Sequence, residues 1–321
     1  MHDHAHGTID PTLLTTSRGI WAVKWSLVLL GLTAIFQVVI VVLTNSIALL
    51  ADTIHNFGDA ATAIPLWIAF SLARRKPSTR YTYGYGRVED WAGIMVVLAI
   101  LVSAAVAGYR SVERLFHPEP LTHVWAIIVA SIIGFIGNEL VAVFRIRVGK
   151  EINSAALIAD GYHARIDGLT SLAVLFGAVG VQLGYPLADP IVGLGITVAI
   201  LRIVWQSAAA VFPRLIDGVD PHVIEDIRHT AGHVQGVHGV TEVRARWLGH
   251  RLHAEVNIAV SPNISVTEGH AIAMELRHQL LHHLPYISNA TIHVDPNSAS
   301  GEASHRIAEH KHGEYPDHSH P

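Results

Sequence analysis

Cysteine is missing from this chain and charge is scarce. None of its 321 residues is cysteine, so disulfides, thiolate metal sites and thiol nucleophiles are excluded, and the redox compartment stays open. Only 15% of the residues are Asp, Glu, Lys or Arg, against roughly a quarter in a soluble globular chain. A chain so poor in charge and 50% hydrophobic is expected to place much of its length in a bilayer. The net charge of −4 is mild and argues against a nucleic-acid partner. The N-terminal MHDHAHGTID has no basic segment leading into a short apolar core, so no cleaved leader is expected. There is no His-Glu-x-x-His motif.

What the chain does have is long apolar runs. A bilayer core needs about 20 apolar residues per helix. Six segments qualify: Ile20–Leu43, Ile47–Leu72, Trp91–Tyr109, Val124–Phe144, Ala155–Leu183 and Pro186–Val211. The loop after the second carries Arg74, Arg75, Lys76, Arg80 and Arg87, and the loop after the fourth carries Arg145, Arg147 and Lys150. The links between the first and second and between the fifth and sixth have no Lys or Arg. The excess of positive charge on one side places both termini in the cytoplasm of a multi-pass protein of a cell membrane, a bacterial inner membrane by its short loops.

Beyond Pro213, expected to end the last span, the composition turns soluble. Pro221–His233 is read as a helix, Val240–Trp247 and Arg251–Val260 as strands joined by Leu-Gly-His, and Ser265 with Glu268 as a capping box opening a helix to Leu284. Ala290–Pro296 is a last strand. The expected fold is thus an α-helical membrane protein of six transmembrane helices followed by a small α+β domain. The expected divisions are a His-containing tail over 1–18, a transport domain over 19–212, the α+β domain over 213–296 and a polar, His-containing, disordered tail over 297–321.

The apolar runs hold an internal repeat. Ser46–Thr62 aligns with Ser154–Thr170 at an offset of 108, with eight identities in seventeen positions. Both copies carry Asp-x-x-His-x-x-x-Asp: Asp52, His55 and Asp59 in the first, Asp160, His163 and Asp167 in the second. The two copies fall on spans of opposite direction, which suggests an inverted repeat with a site near the midplane.

On a helix, residues i and i+4 lie one above the other. His55 with Asp59, and His163 with Asp167, can therefore present two imidazoles and two carboxylates to one point. That set suits a tetrahedral divalent cation, with Zn²⁺ the best fit. Mg²⁺ and Ca²⁺ call for more oxygens, while Fe²⁺, Co²⁺, Ni²⁺ and Cd²⁺ stay open. A carboxylate at mid-bilayer costs about 2.5–3.5 kcal/mol even on a lenient scale, and a bound dication offsets that. Asp52 and Asp160 either orient imidazole N–H groups or line a vestibule. Arg165, two residues from His163, is expected to pair with Glu139 or to snorkel.

At these residues the chain resembles the cation diffusion facilitator family. The likeness rests on the six spans, the repeated Ala-Asp-x-x-His-x-x-x-Asp and the α+β tail ending in His-Val-Asp-Pro, and it covers Arg18 to Pro296. It implies a homodimeric exporter that exchanges divalent metal for protons, with a ferredoxin-like cytoplasmic domain that binds metal and dimerises. It implies a transport site of His55, Asp59, His163 and Asp167 in a pattern suited to zinc, transported and regulatory, with no organic cofactor. In the cytoplasmic domain His270, His293 and Asp295 match family metal positions, whereas two further positions read Thr241 and Asn257; His250 and His253 are candidate substitutes. A second family site in the loop after the second span reads Tyr81 and Tyr85 here, and tyrosine, with its pKa near ~10, is a poor zinc ligand, so that site is expected to be absent. A metal sensor that binds without transport and an intramembrane metalloenzyme are the competing classes. Four protein ligands leave the enzyme no open position for water.

Overall fold

The computed structural model describes residues 11–44, 64–117, 124–185 and 187–301. The chain divides into two compact units.

The first unit is helical. It holds α1 (Pro11–Thr44), α2 (Ile64–Ala73), α3 (Arg87–Phe116), α4 (Val124–Glu151), α5 (Ala155–Gln182) and α6 (Ala188–Leu215), together with Leu248–His250. Five of these helices are long and apolar enough to cross a membrane; α2 is a shorter apolar helix. The second expected span, Ile47–Leu72, lies mostly outside the described residues, as do the first copy of the repeat and both tails' histidines. Outward faces are apolar, with Trp91, Trp125 and Trp205 exposed. That is ordinary for a surface whose solvent is lipid.

Several helices outrun the spans expected from apolar counting. Such counting finds the lipid-facing portion, whereas a helix continues for as long as its backbone bonds do. Helix α3 begins at Arg87 rather than Trp91, which brings Glu89 and Asp90 into the helix, where both are buried. Helix α4 runs through Arg145, Arg147 and Lys150, which the sequence pattern assigns to a loop. Pro213 lies inside α6 instead of ending it. Proline lacks an N–H but keeps its carbonyl, and the Ile216 N–H donates to the Pro213 carbonyl at 3.1 Å.

The α4–α5 hairpin is the element that positions the site. Its turn is only residues 152–154. Asn153 takes a left-handed φ of 57°, which asparagine tolerates. The Ser154 hydroxyl caps α5 by accepting from the Leu157 N–H at 3.1 Å. The two helices then run in close contact. A Cβ added at Gly161 would stand 2.9 Å from the Ile146 nitrogen and 3.1 Å from the Arg145 Cβ, so only glycine admits this approach.

The second unit is a two-layer α+β fold. In chain order it holds α7 (Pro221–Gly232), β1 (Gly239–Leu248), β2 (Arg251–Val260), α8 (Val266–His283) and β3 (Ile287–Pro296). Each element lies within a few residues of its expected place. The sheet order is β1-β2-β3, with β2 and β3 parallel. Asp220 caps α7, and the Ser265–Glu268 capping box opens α8 as its spacing predicts. Leu252, Val256 and Ile258 on alternate positions of β2 meet Ile227 and Ala231 of α7 and Leu276 and Leu280 of α8 in an apolar core. One face of the sheet is thereby covered by both helices.

Candidate metal centre

Asp160, His163 and Asp167 stand on α5 at spacings of three and four, hence on one face of the helix. All three are buried, at 0%, 2% and 7% exposure. An imidazole and a carboxylate thus sit inside an apolar unit, where leaving them unpaired is costly. The partner set, Asp52, His55 and Asp59, lies outside the described residues. Among the described residues no three His, Asp or Glu groups converge as a metal cage.

Asp160 is committed to α4: its Oδ2 stands 2.9 Å from Arg145 Nη1, with side-chain exposures of 0% and 1%. Arg145, read from sequence as a loop cation, is a buried helical counter-charge. One turn further along, Arg165 grips Glu139 with two bonds, Nε to Oε2 at 3.2 Å and Nη2 to Oε1 at 2.7 Å. This is the pairing expected for Arg165, and its bidentate form fixes the guanidinium plane. His163 lies in sequence between these two ion pairs, so the segment that carries it is tied to α4 on both sides.

His250 does not join the cytoplasmic histidines; it belongs to the first unit, where it is 4% exposed. Its Nδ1 lies 2.6 Å from Glu89 Oε2, and its Nε2 lies 3.1 Å from the Thr15 hydroxyl and 3.2 Å from that of Thr16. Ser154 donates its hydroxyl to the other Glu89 oxygen. Asp90 Oδ2 accepts the Gly249 N–H at 3.1 Å. With both ring nitrogens engaged, His250 is a structural partner of Glu89. Sequence reading missed this set. The signal available was an acidic pair, Glu89-Asp90, at the head of an apolar run otherwise poor in acids.

In the second unit the family positions fall in a row across the sheet. The Thr241 hydroxyl donates to the Asn257 carbonyl, and Asn257 is the register partner of His293. His293 Nε2 stands 2.8 Å from Asp295 Oδ1; the histidine is half exposed and the carboxylate buried. His270 is exposed on α8. His253 on β2 has its pKa lowered, first by burial and then by the Arg246 and Arg251 cations. In the loop before α3 the rings of Tyr81 and Tyr85 pack at 5.0 Å.

A family model described as the cation efflux transmembrane domain matches residues 23–216, and one described as the cation efflux protein cytoplasmic domain matches residues 219–297. The chain belongs to the cation diffusion facilitator, or cation efflux, family. A "Probable cation efflux system protein" of Mycobacterium tuberculosis (strain H37Rv) is 54% identical over 296 residues, covering 92% of this chain and 89% of that protein. An "Uncharacterized transporter" of Methanocaldococcus jannaschii is 30% identical, covering 84% and 94%. The magnetosome protein MamB of a Magnetospira species is 27% identical, covering 81% and 89%. The protein is therefore a multi-pass membrane transporter that carries out efflux of divalent metal cations, in a family of transporters rather than enzymes.

Proposed function

We propose that this family member exports Zn²⁺ from the cytoplasm in exchange for protons, by alternating access at a site made of His55, Asp59, His163 and Asp167. The observation that carries the reading is the burial of His163 and Asp167 on one face of α5, with the same Asp-x-x-His-x-x-x-Asp pattern at Asp52–Asp59. Two nitrogens and two oxygens favour zinc over the harder cations. Imidazole binds metal only when neutral, so protons compete with the cation. With an ordinary histidine pKa near ~6.5, an inward proton gradient would favour release outside and reset the carrier.

The second unit would act as the cytoplasmic dimerisation domain of a homodimer. Zinc held by His293 and Asp295 with His270 would draw two copies together when the cytoplasmic metal is high. Both termini would face the cytoplasm of a bacterial inner membrane.

The test is Zn²⁺ uptake into proteoliposomes under an imposed pH gradient, comparing the unmodified protein with Asp59→Ala and Asp167→Ala. Gradient-dependent flux lost in both variants supports the reading. Flux of Cd²⁺, Fe²⁺ or Co²⁺ without zinc would replace the metal, and binding without flux of any of them would make the protein a sensor.

A further inference from the structure

Three acidic or imidazole groups share the buried face of α5, yet only two of them fit a tetrahedral half-site. The third, Asp160, stands one turn from His163, within the 5–6 Å or so that separates Cβ atoms at i and i+3. Nothing in its chemistry keeps it from the cargo cation. A third carboxylate there would change the site from two nitrogens and two oxygens toward an oxygen-rich set, which suits Mn²⁺ better than Zn²⁺.

What occupies Asp160 is Arg145. The pair is sealed, at 0% and 1% side-chain exposure, with 2.9 Å between Oδ2 and Nη1. Among the described residues, Arg145 Nε and Nη2 and Asp160 Oδ1 have no hydrogen-bond partner. Among the described residues each side chain's charge is thus answered by the other, and a buried carboxylate deprived of its guanidinium would turn to whatever cation is near. At Gly161, next to Asp160, the backbones of α4 and α5 approach closely beside this pair.

We propose that Arg145 is a specificity-determining positioning residue: by holding Asp160 against α4 it withholds a third carboxylate from the transported cation and keeps the site selective for zinc over manganese. This rests on the four-residue transport site proposed above.

The experiment measures Zn²⁺ and Mn²⁺ uptake side by side in proteoliposomes for the unmodified protein, Arg145→Gln, the double variant Arg145→Gln/Asp160→Asn, and Asp167→Asn. Arg145→Gln is expected to shift the Mn²⁺-to-Zn²⁺ ratio upward by about tenfold, the lower end of what partners of metal ligands contribute. The double variant, which has no freed carboxylate, is expected to return the ratio to that of the unmodified protein. A purely structural ion pair would lower both fluxes together and leave the ratio unmoved, which overturns the proposal, as does a double variant that keeps the shifted ratio. Should Arg145→Gln not fold, Arg145→Met takes its place with the same ratio read: a raised Mn²⁺-to-Zn²⁺ ratio supports the proposal and an unmoved one overturns it, as does zinc transport lost in the folded double variant, which would mean that Asp160 serves the cation directly. Asp167→Asn separates the two levels. Flux that survives it sinks the transport site itself, whereas flux abolished by it with no effect of Arg145→Gln sinks only the role of Arg145.

Discussion

The two units of the molecule handle polar groups in opposite ways. In the second, the core of Leu252, Val256, Ile258, Leu276 and Leu280 is apolar, and of the candidate ligands His270 and His293 stand toward solvent while Asp295 is buried beside His293. In the first, charge is buried and tied up in pairs: Arg145 with Asp160, and Glu89 with His250. An apolar core gains stability from every buried methylene. A buried ion pair gains little, because desolvation offsets the attraction. The first unit therefore gains little stability from its charged pairs, one of which stands a turn from His163.

That contrast can be broken by substitution. The largest effect is expected at Asp167→Asn, which should reduce metal flux to that of empty vesicles while the protein remains folded, as read by uptake and by size-exclusion chromatography. Next, Asp160→Asn leaves Arg145 buried without its counter-charge and should cost about 3–5 kcal/mol. Arg145→Leu/Asp160→Leu should be close to neutral, and thermal unfolding in detergent compares the two. In the second unit, Leu276→Ala removes a fully buried side chain and should cost about 2–5 kcal/mol, with no change in the metal preference of the transport site. Ser265→Ala removes the cap of α8 and should cost about 1 kcal/mol. The smallest effect concerns pH. His253 binds a proton less readily when folded, because burial and the Arg246 and Arg251 cations oppose its charge. The unfolded chain then takes up more protons as pH falls below the ordinary histidine range, so stability drops with falling pH there and is untouched above it. His253→Gln should flatten that dependence, measured as melting temperature between about pH 5 and 8.

The same contrast explains what could be read from the sequence. The second unit was legible almost element by element, because its signals are local: the Asp220-Pro221 start, the Ser265–Glu268 box and the alternation of β2. The buried polar face of α5 was also legible, since a histidine and two aspartates in an apolar run stand out against the cost of placing them there. The partners of those groups were not. Arg145 reads as one of three basic residues closing a span, and its pairing with Asp160 appears only once α4 is packed on α5. His250 reads as one more histidine beside a turn, and its engagement with Glu89 spans 161 residues, beyond any local pattern. Helix ends were missed for a related reason: Glu89, Asp90 and Arg145 look like loop residues until their buried partners are known.

In the proposed transport site His163 and Asp167 share one cation with His55 and Asp59. The most direct measurement is zinc-edge X-ray absorption on the full chain in lipid, with His270→Ala, His293→Ala and Asp295→Ala introduced so that zinc is confined to the membrane site. Four N/O ligands at about 2.0–2.2 Å, two of them imidazoles, are expected, with loss of one imidazole in either His55→Ala or His163→Ala. A six-oxygen shell, or an imidazole signal that neither substitution alters, would contradict it.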